Sequence, residues 1–336
     1  MKPFPVLAAI AGLTLIAALV AHFGLGAVIR SLSAIGWTGF AAICLIHLGL
    51  IAVMGIAWGA LLPGTSIWAP IWGRLVRDAG SELLPLSQVG GYVLGARAIT
   101  FAGVSGTSAA ASTIVDVTLE LFGQLAYTAL ALWWLVYLRP GAEIAAPAAI
   151  GLAFAGLLAS AFVVVQRRGF GLVDRFAGML GRGWADKTAA GAAALQSALR
   201  EIYQWRARVW ASFVLHLVCW IASTLEAWIA LRLAGSSLGF RAVLVIEGLV
   251  YAARSVAFAV PSAVGVQEGA YVLLGAGLGL TPEMGLALSL VKRGRDLAIG
   301  VPPLVAWQLL EGRRLWASDR RVSTAPPAVF KTKPRP

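Results

Sequence analysis

The chain has 336 residues, 59% of them hydrophobic and 12% charged, with a formal net charge of +12. Soluble domains carry about 25% charged residues, and a soluble core of this length could not hide so much apolar surface, so an ordinary soluble enzyme is excluded. The bases flank apolar stretches instead of forming a patch, which argues against nucleic acid as a partner and assigns the charge to membrane topology and anionic-lipid contact.

In chain order, an apolar run from about Val6 to Val28 follows Lys2. It is too long for a signal-peptide core and no small-residue cleavage site follows, so it reads as the first span. Further runs long enough for a spanning helix, which needs about 20 apolar residues, lie at 38–62, 110–137, 145–165, 209–233 and 286–310. Two other apolar regions are interrupted: 66–105 by Pro70, Pro85, Gly90, Gly91 and Gly95, and 242–281 by Pro261, Gly265, Gly269, Gly275, Gly277 and Gly279. Proline and clustered glycine break helices, and broken backbone at membrane depth persists only where protein or water covers it. Both regions are therefore expected to be re-entrant hairpins. The alternation of barrel strands is not seen. The prediction is an all-α polytopic membrane protein of about six spanning helices and two hairpins, forming a single domain over 1–315.

Between 166 and 208 the texture changes. Eight bases (Arg167, Arg168, Arg175, Arg182, Lys187, Arg200, Arg206, Arg208) accompany Leu172, Phe176, Met179 and Leu180 at helical spacing, which predicts a cytoplasmic amphipathic loop on a membrane face. The basic, proline-bearing tail 316–336 is expected to be disordered. Cys44, Cys219, His22, His47 and His216 are scattered within or beside apolar runs; their spacing marks no metal site or disulfide framework, so they read as packed side chains.

An ungapped shift of 176 residues superimposes the two broken regions: Pro85 on Pro261, Gly103 on Gly279, Ser105 on Thr281, Val115 on Val291, Glu120 on Asp296 and Leu121 on Leu297. Placing the basic loop and tail in the cytoplasm, with both hairpins returning to their side of origin, puts both termini inside. It leaves Arg30, Arg139, Arg232 and Arg241 as the outside bases. The repeats are then inverted, one hairpin dipping from each face, as in many alternating-access transporters.

Charges inside a membrane are costly and mark paired or functional sites. The candidates are Arg97; Asp116 and Glu120, four apart on one helix face; Glu226; Glu247; Arg254, Gln267 and Glu268; and the cluster Lys292, Arg293, Arg295 and Asp296. The repeat sets Asp116 opposite Lys292, so the two carboxylates are expected to neutralise part of that basic cluster and leave positive charge for an anionic head group. A structural ion-pair network holding hairpins to the bundle accounts for the same residues. Arg74 and Arg77 read as a solvated interfacial face. No catalytic, metal or cofactor motif stands out: there is no Asp-rich diphosphate motif, nucleophile elbow or phosphate loop.

The run Val260-Pro261-Ser262-Ala263-Val264-Gly265-Val266-Gln267-Glu268-Gly269 resembles the Pro/Gly–Glu signature of the flippase-like transmembrane domain found in lysylphosphatidylglycerol synthases and their stand-alone relatives. Glu82, Pro85 and Gly90-Gly91 resemble that family's earlier Pro/Gly segment, and Leu290 to Asp296 its charged last helix. The chain is most similar to the branch encoded with hopanoid-biosynthesis genes. The resemblance implies translocation or transport of a lipid, an anionic phospholipid or a hopanoid, in the bacterial inner membrane, with biosynthesis or export proteins as partners. After Leu315 there is no room for the synthases' soluble aminoacyl-transferase domain, so that activity is not implied. An intramembrane lipid-modifying enzyme using Asp116, Glu120 or Glu268 as acid or base, and a scaffold for biosynthetic enzymes, stand as the alternatives.

Overall fold

The computed structural model describes residue 14 and residues 25–84, 87–168, 182–257 and 260–323. Among these residues it is all helix: α1 (Leu25–Gly59), α2 (Trp68–Leu83), α3 (Ser87–Ile99), α4 (Gly106–Leu138), α5 (Ala145–Arg168), α6 (Arg182–Gln204), α7 (Arg206–Leu233), α8 (Phe240–Val256), α9 (Val266–Gly277) and α10 (Pro282–Ser323). Four are long and apolar enough to cross a membrane: Ser33–Gly59 of α1, and α4, α5 and α7. The expected span 286–310 lies inside α10, where Lys292, Arg293, Arg295 and Asp296 interrupt the apolar run. Most of the expected span 6–28 lies outside the described residues. What is described of it joins the next span through a break at Gly36, whose φ is 63°.

The hairpins are helical. The first pairs α2 with α3, and the second pairs α8 with α9. At 1.5 Å per residue these arms measure about 18 to 26 Å, short of the ~30 Å hydrocarbon core. Pro85 lies outside the described residues. Pro261 opens a single 3₁₀ turn, Pro261–Ala263, in which Ser262 and Ala263 hold left-handed φ of 52° and 46°. Left-handed backbone is costly for residues with a Cβ. Ala263→Gly is expected to raise stability by up to about 1 kcal/mol, read as a higher melting temperature in detergent; a lower one would show that packing of the buried methyl outweighs the strain.

The sequence repeat is a structural repeat. The order α1-α2-α3-α4 recurs as α7-α8-α9-α10, with α5 and α6 between. Local geometry recurs with it. Gly103 and Gly279 take φ of 85° and 91°, and the next residues but one, Ser105 and Thr281, accept the backbone N–H of Ser108 and Met284 at 3.1 and 3.4 Å, starting α4 and α10. Packing is exchanged between the copies: α1 lies on α7, α4 on α7 and α8, and α10 on α1 and α2. Each long helix thus supports the other copy's hairpin, as a pseudo-two-fold arrangement demands.

The amphipathic segment is only partly described. Residues 169–181, with Leu172, Phe176, Met179 and Leu180, lie outside the described residues. The remainder is α6, whose Leu195, Ala198, Leu199 and Ile202 pack on Leu61, Ala111, Val115 and Leu119. Helix α10 continues past 316, the expected start of the tail, to Ser323.

Candidate functional site

Helix α2 supplies the first correction. Its buried face is Ala69, Pro70, Gly73, Arg74, Val76, Arg77, Ala79 and Gly80. Small residues at helical spacing let neighbouring backbones close in, and the two arginines on that face go in with them. Arg74 is 4% exposed and Arg77 2%, so they are not a solvated face. Arg74 donates to Glu120 through Nη1 and Nη2 at 2.9 and 2.7 Å and to Asp78 through Nε at 2.8 Å. Arg77 donates to Asp116 through Nη1 at 2.6 Å and to Glu120 through Nη2, while its guanidinium lies 4.6 Å from the Tyr92 ring.

Asp116 and Glu120 therefore neutralise the arginines of α2, not the cluster on α10. That cluster has its own acids. Lys292 Nζ is 2.5 Å from Glu247 Oε2, whose other oxygen accepts from the Tyr271 hydroxyl at 2.5 Å. Arg293 donates to Glu268 at 3.0 Å and to the Ser262 carbonyl at 2.7 Å. Arg295 donates to Glu226, and to Asp296 at 2.6 Å. Each cation of the Lys292–Arg295 cluster thus has a carboxylate partner. Gln267 donates to Ser289, and Ser289 to Glu268, deep in the second hairpin. Glu268 also accepts the Gly265 N–H at 2.8 Å, capping α9, and Gly265 itself sits at φ 83°. A Cβ on Gly269 would meet open space, so that glycine plays no close-approach part.

The histidines also depart from expectation. His47 Nδ1 lies 2.9 Å from Glu226 Oε2, and His216 Nε2 2.9 Å from Asp116 Oδ1. Both belong to the charged network. His22 lies outside the described residues. Cys44 is half-buried and Cys219 buried, both as free thiols.

The hairpin tips meet. Arg254, at the end of α8, donates to Glu82, at the end of α2, at 2.6 Å, and the Ser262 hydroxyl donates to the Glu82 carbonyl. Beside this junction lies a cavity of about 370 Å³ drawn from both copies. Its charged lining is Arg74, Arg77, Asp78 and Glu82 of α2, Glu120 of α4, Arg254 of α8, and Arg295 and Asp296 of α10, with His47, Tyr92, Gln124 and Tyr251 between them. Of the residues expected to bind lipid, Glu120, Arg254, Arg295 and Asp296 reach the cavity. Asp116 is buried behind its wall, whereas Gln267, Glu268, Lys292 and Arg293 hold the second hairpin to α10. Arg97 stands apart, half-exposed and paired with Glu311 at 2.8 Å. The residues missed in the sequence are Arg74, Arg77, His47 and His216. The Gly73/Gly80 spacing around the arginines was the available signal; nothing local marked the histidines.

Two helix–hairpin–helix units, packed crosswise around a charged cavity and containing helices long and apolar enough to span a bilayer, define an all-α polytopic membrane protein. The chain belongs to the lysylphosphatidylglycerol synthase TM region family, whose profile matches residues 6–303. That family makes it a membrane protein linked to lipid synthesis or transport. Comparison with curated proteins and with solved structures returned no match.

Proposed function

We propose that the chain moves a membrane lipid across or within the bacterial inner membrane, with the cavity between the hairpin tips receiving the head group. The observation that carries this reading is the cavity itself, which is lined by charges of both signs contributed by both repeats and bridged by Arg254 and Glu82 where the tips touch. Protein covers the broken backbone there, and the short hairpin arms bring it to membrane depth. With one hairpin from each face and both termini cytoplasmic, opening on one side and closing on the other would expose the cavity alternately.

The charge pattern narrows the cargo. Every cavity arginine already has a carboxylate, so a head group rich in hydroxyls, or carrying both charges, replaces these pairs more cheaply than a bare anion does. A hopanoid, largely uncharged, fits that condition. Nothing in the site favours covalent chemistry over carriage.

The test uses purified protein in proteoliposomes with a fluorescent phospholipid and, separately, a labelled hopanoid. Arg254→Gln is expected to slow lipid movement by about tenfold or more, the equivalent of one charge-assisted hydrogen bond, and mass spectrometry should find the lipid chemically unchanged. An undiminished rate removes the cavity from the reading, and a new covalent product replaces transport with lipid modification.

A further inference from the structure

The charges around the cavity do not balance. Lys292 with Glu247 and Arg293 with Glu268 pair one to one. The other four cations, Arg74, Arg77, Arg254 and Arg295, meet six carboxylates: Asp78, Glu82, Asp116, Glu120, Glu226 and Asp296. Among the described residues two carboxylates are in excess; Asp78 and Glu82 are partly exposed, whereas Asp116 and Glu226 are buried, where a negative charge is costly unless well compensated. Two of the six, Asp116 and Glu226, each hold a histidine in addition to an arginine. One proton on each imidazole makes the count even.

The two histidines differ in access. His47 lines the cavity, with 22% of its side chain exposed. His216 is fully buried; its Nδ1 has no partner among the described residues, and neither has the hydroxyl of Ser212 one turn earlier on α7. His47 meets Glu226 from α7, which also feels Arg295 and Lys292 from α10, and shares the cavity lining with Arg74 from α2, Glu120 from α4 and Asp296 from α10; Cys44 of its own helix lies in the field of Glu226, Arg295 and Asp296. Around His216 stand Asp116 and Glu120 from α4 and Arg74 and Arg77 from α2.

We propose that this network binds protons and couples their movement to that of the lipid, with His47 as the acceptor facing the cavity. The step moves one proton from a hydronium ion to His47 Nε2, leaving water, while Nδ1–H keeps its bond to Glu226, which holds the resulting imidazolium. Arg295 shares Glu226 with His47, so charging the histidine tightens α1 on α7 through that carboxylate and sets the imidazolium in competition with Arg295, weakening the α7–α10 contact. The coupling rests on the transport reading, whereas the proton site does not.

The experiment has two arms, chosen so that the two ideas fail separately. Only three histidines occur in the chain, so ¹⁵N-histidine NMR of the purified full chain in detergent, assigned with His22→Gln, His47→Gln and His216→Gln, follows each imidazole. The His47 signal is expected to show both imidazole and imidazolium forms over the pH range in which the chain stays folded. A His47 that keeps one protonation state throughout overturns the proton site. In proteoliposomes an imposed pH gradient of one unit is expected to shift the inner-to-outer ratio of a fluorescent lipid roughly tenfold per coupled proton, with the shift lost in His47→Gln. Lipid that redistributes in the wild type without regard to the gradient overturns coupling and leaves transport standing. A wild type that moves no lipid removes transport and coupling together, and the NMR arm still decides proton binding.

Discussion

Asp116→Ala is expected to cost about 3–5 kcal/mol of stability, the usual consequence of removing one partner from a buried ion pair. Asp116 is fully buried and accepts from Arg77 at 2.6 Å and from His216 at 2.9 Å, with Arg74 at 4.0 Å. Its loss leaves Arg77, 2% exposed, with Glu120 alone to offset it, and takes from the fully buried His216 the carboxylate that its Nε2 meets. The double variant Arg77→Met with Asp116→Leu should recover more than half of the loss. Glu120 keeps its two-pronged bond from Arg74 in that background, and a matched apolar pair replaces the charges. Thermal unfolding in detergent, followed by tryptophan fluorescence, reads both variants. An Asp116→Ala protein melting with the wild type would mean that the first hairpin is not tied to α4 by this network.

The network has the polarity of the two copies reversed. In the first, the bases sit on the hairpin arm (Arg74, Arg77) and the acids on the long helix (Asp116, Glu120); in the second, the acid sits on the arm (Glu247) and the base on the long helix (Lys292). Each hairpin is thus held to its own long helix by ion pairs, while apolar packing joins it to the other copy's long helix. The described charged contacts that cross between the copies are Arg254 with Glu82 at the hairpin tips, His47 with Glu226, His216 with Asp116 and the half-exposed Arg97 with Glu311.

This division also shows what could be read from the sequence and what could not. Hairpins and repeat were legible because they follow from local rules: proline and glycine stop helices wherever they fall, and Gly103-x-Ser105 and Gly279-x-Thr281 each build a left-handed turn and a helix start without help from the rest of the chain. Ion-pair partners were not. Arg77 meets Asp116 across 39 residues and Lys292 meets Glu247 across 45, and helical periodicity says which face a charge occupies, not what faces it. The expectation that Asp116 and Lys292 pair assumed that equivalent long helices touch at the pseudo-axis. Instead α4 packs on α8 and α10 on α2, so equivalent residues are kept apart by the hairpins between them.

Gly91→Ala is expected to open the first hairpin and to cost at least about 1–3 kcal/mol, the range for forcing extra volume into a filled contact. A Cβ there would lie 2.0 Å from Ser81 Oγ, 2.5 Å from the Arg77 carbonyl oxygen and 2.7 Å from Ser81 N. The serine hydroxyl can swing away, but the other two atoms are backbone of α2, so the arms must part. One turn on, a Cβ at Gly95 would lie 2.7 Å from Arg77 Cβ and 2.9 Å from the Gly73 carbonyl oxygen, so the two glycines form one seam along α3. The segment that must shift is the one that aims Arg77 at Asp116 and Glu120, so lipid movement should fall along with stability. Gly269→Ala is the matched control: its Cβ points into open space within α9, and replacing a helical glycine there should be neutral or stabilising by up to about 1 kcal/mol. Equal melting temperatures for Gly91→Ala and Gly269→Ala would show that the arms are not in close contact, and the cavity beside them would then lose the wall that Arg74 and Arg77 provide.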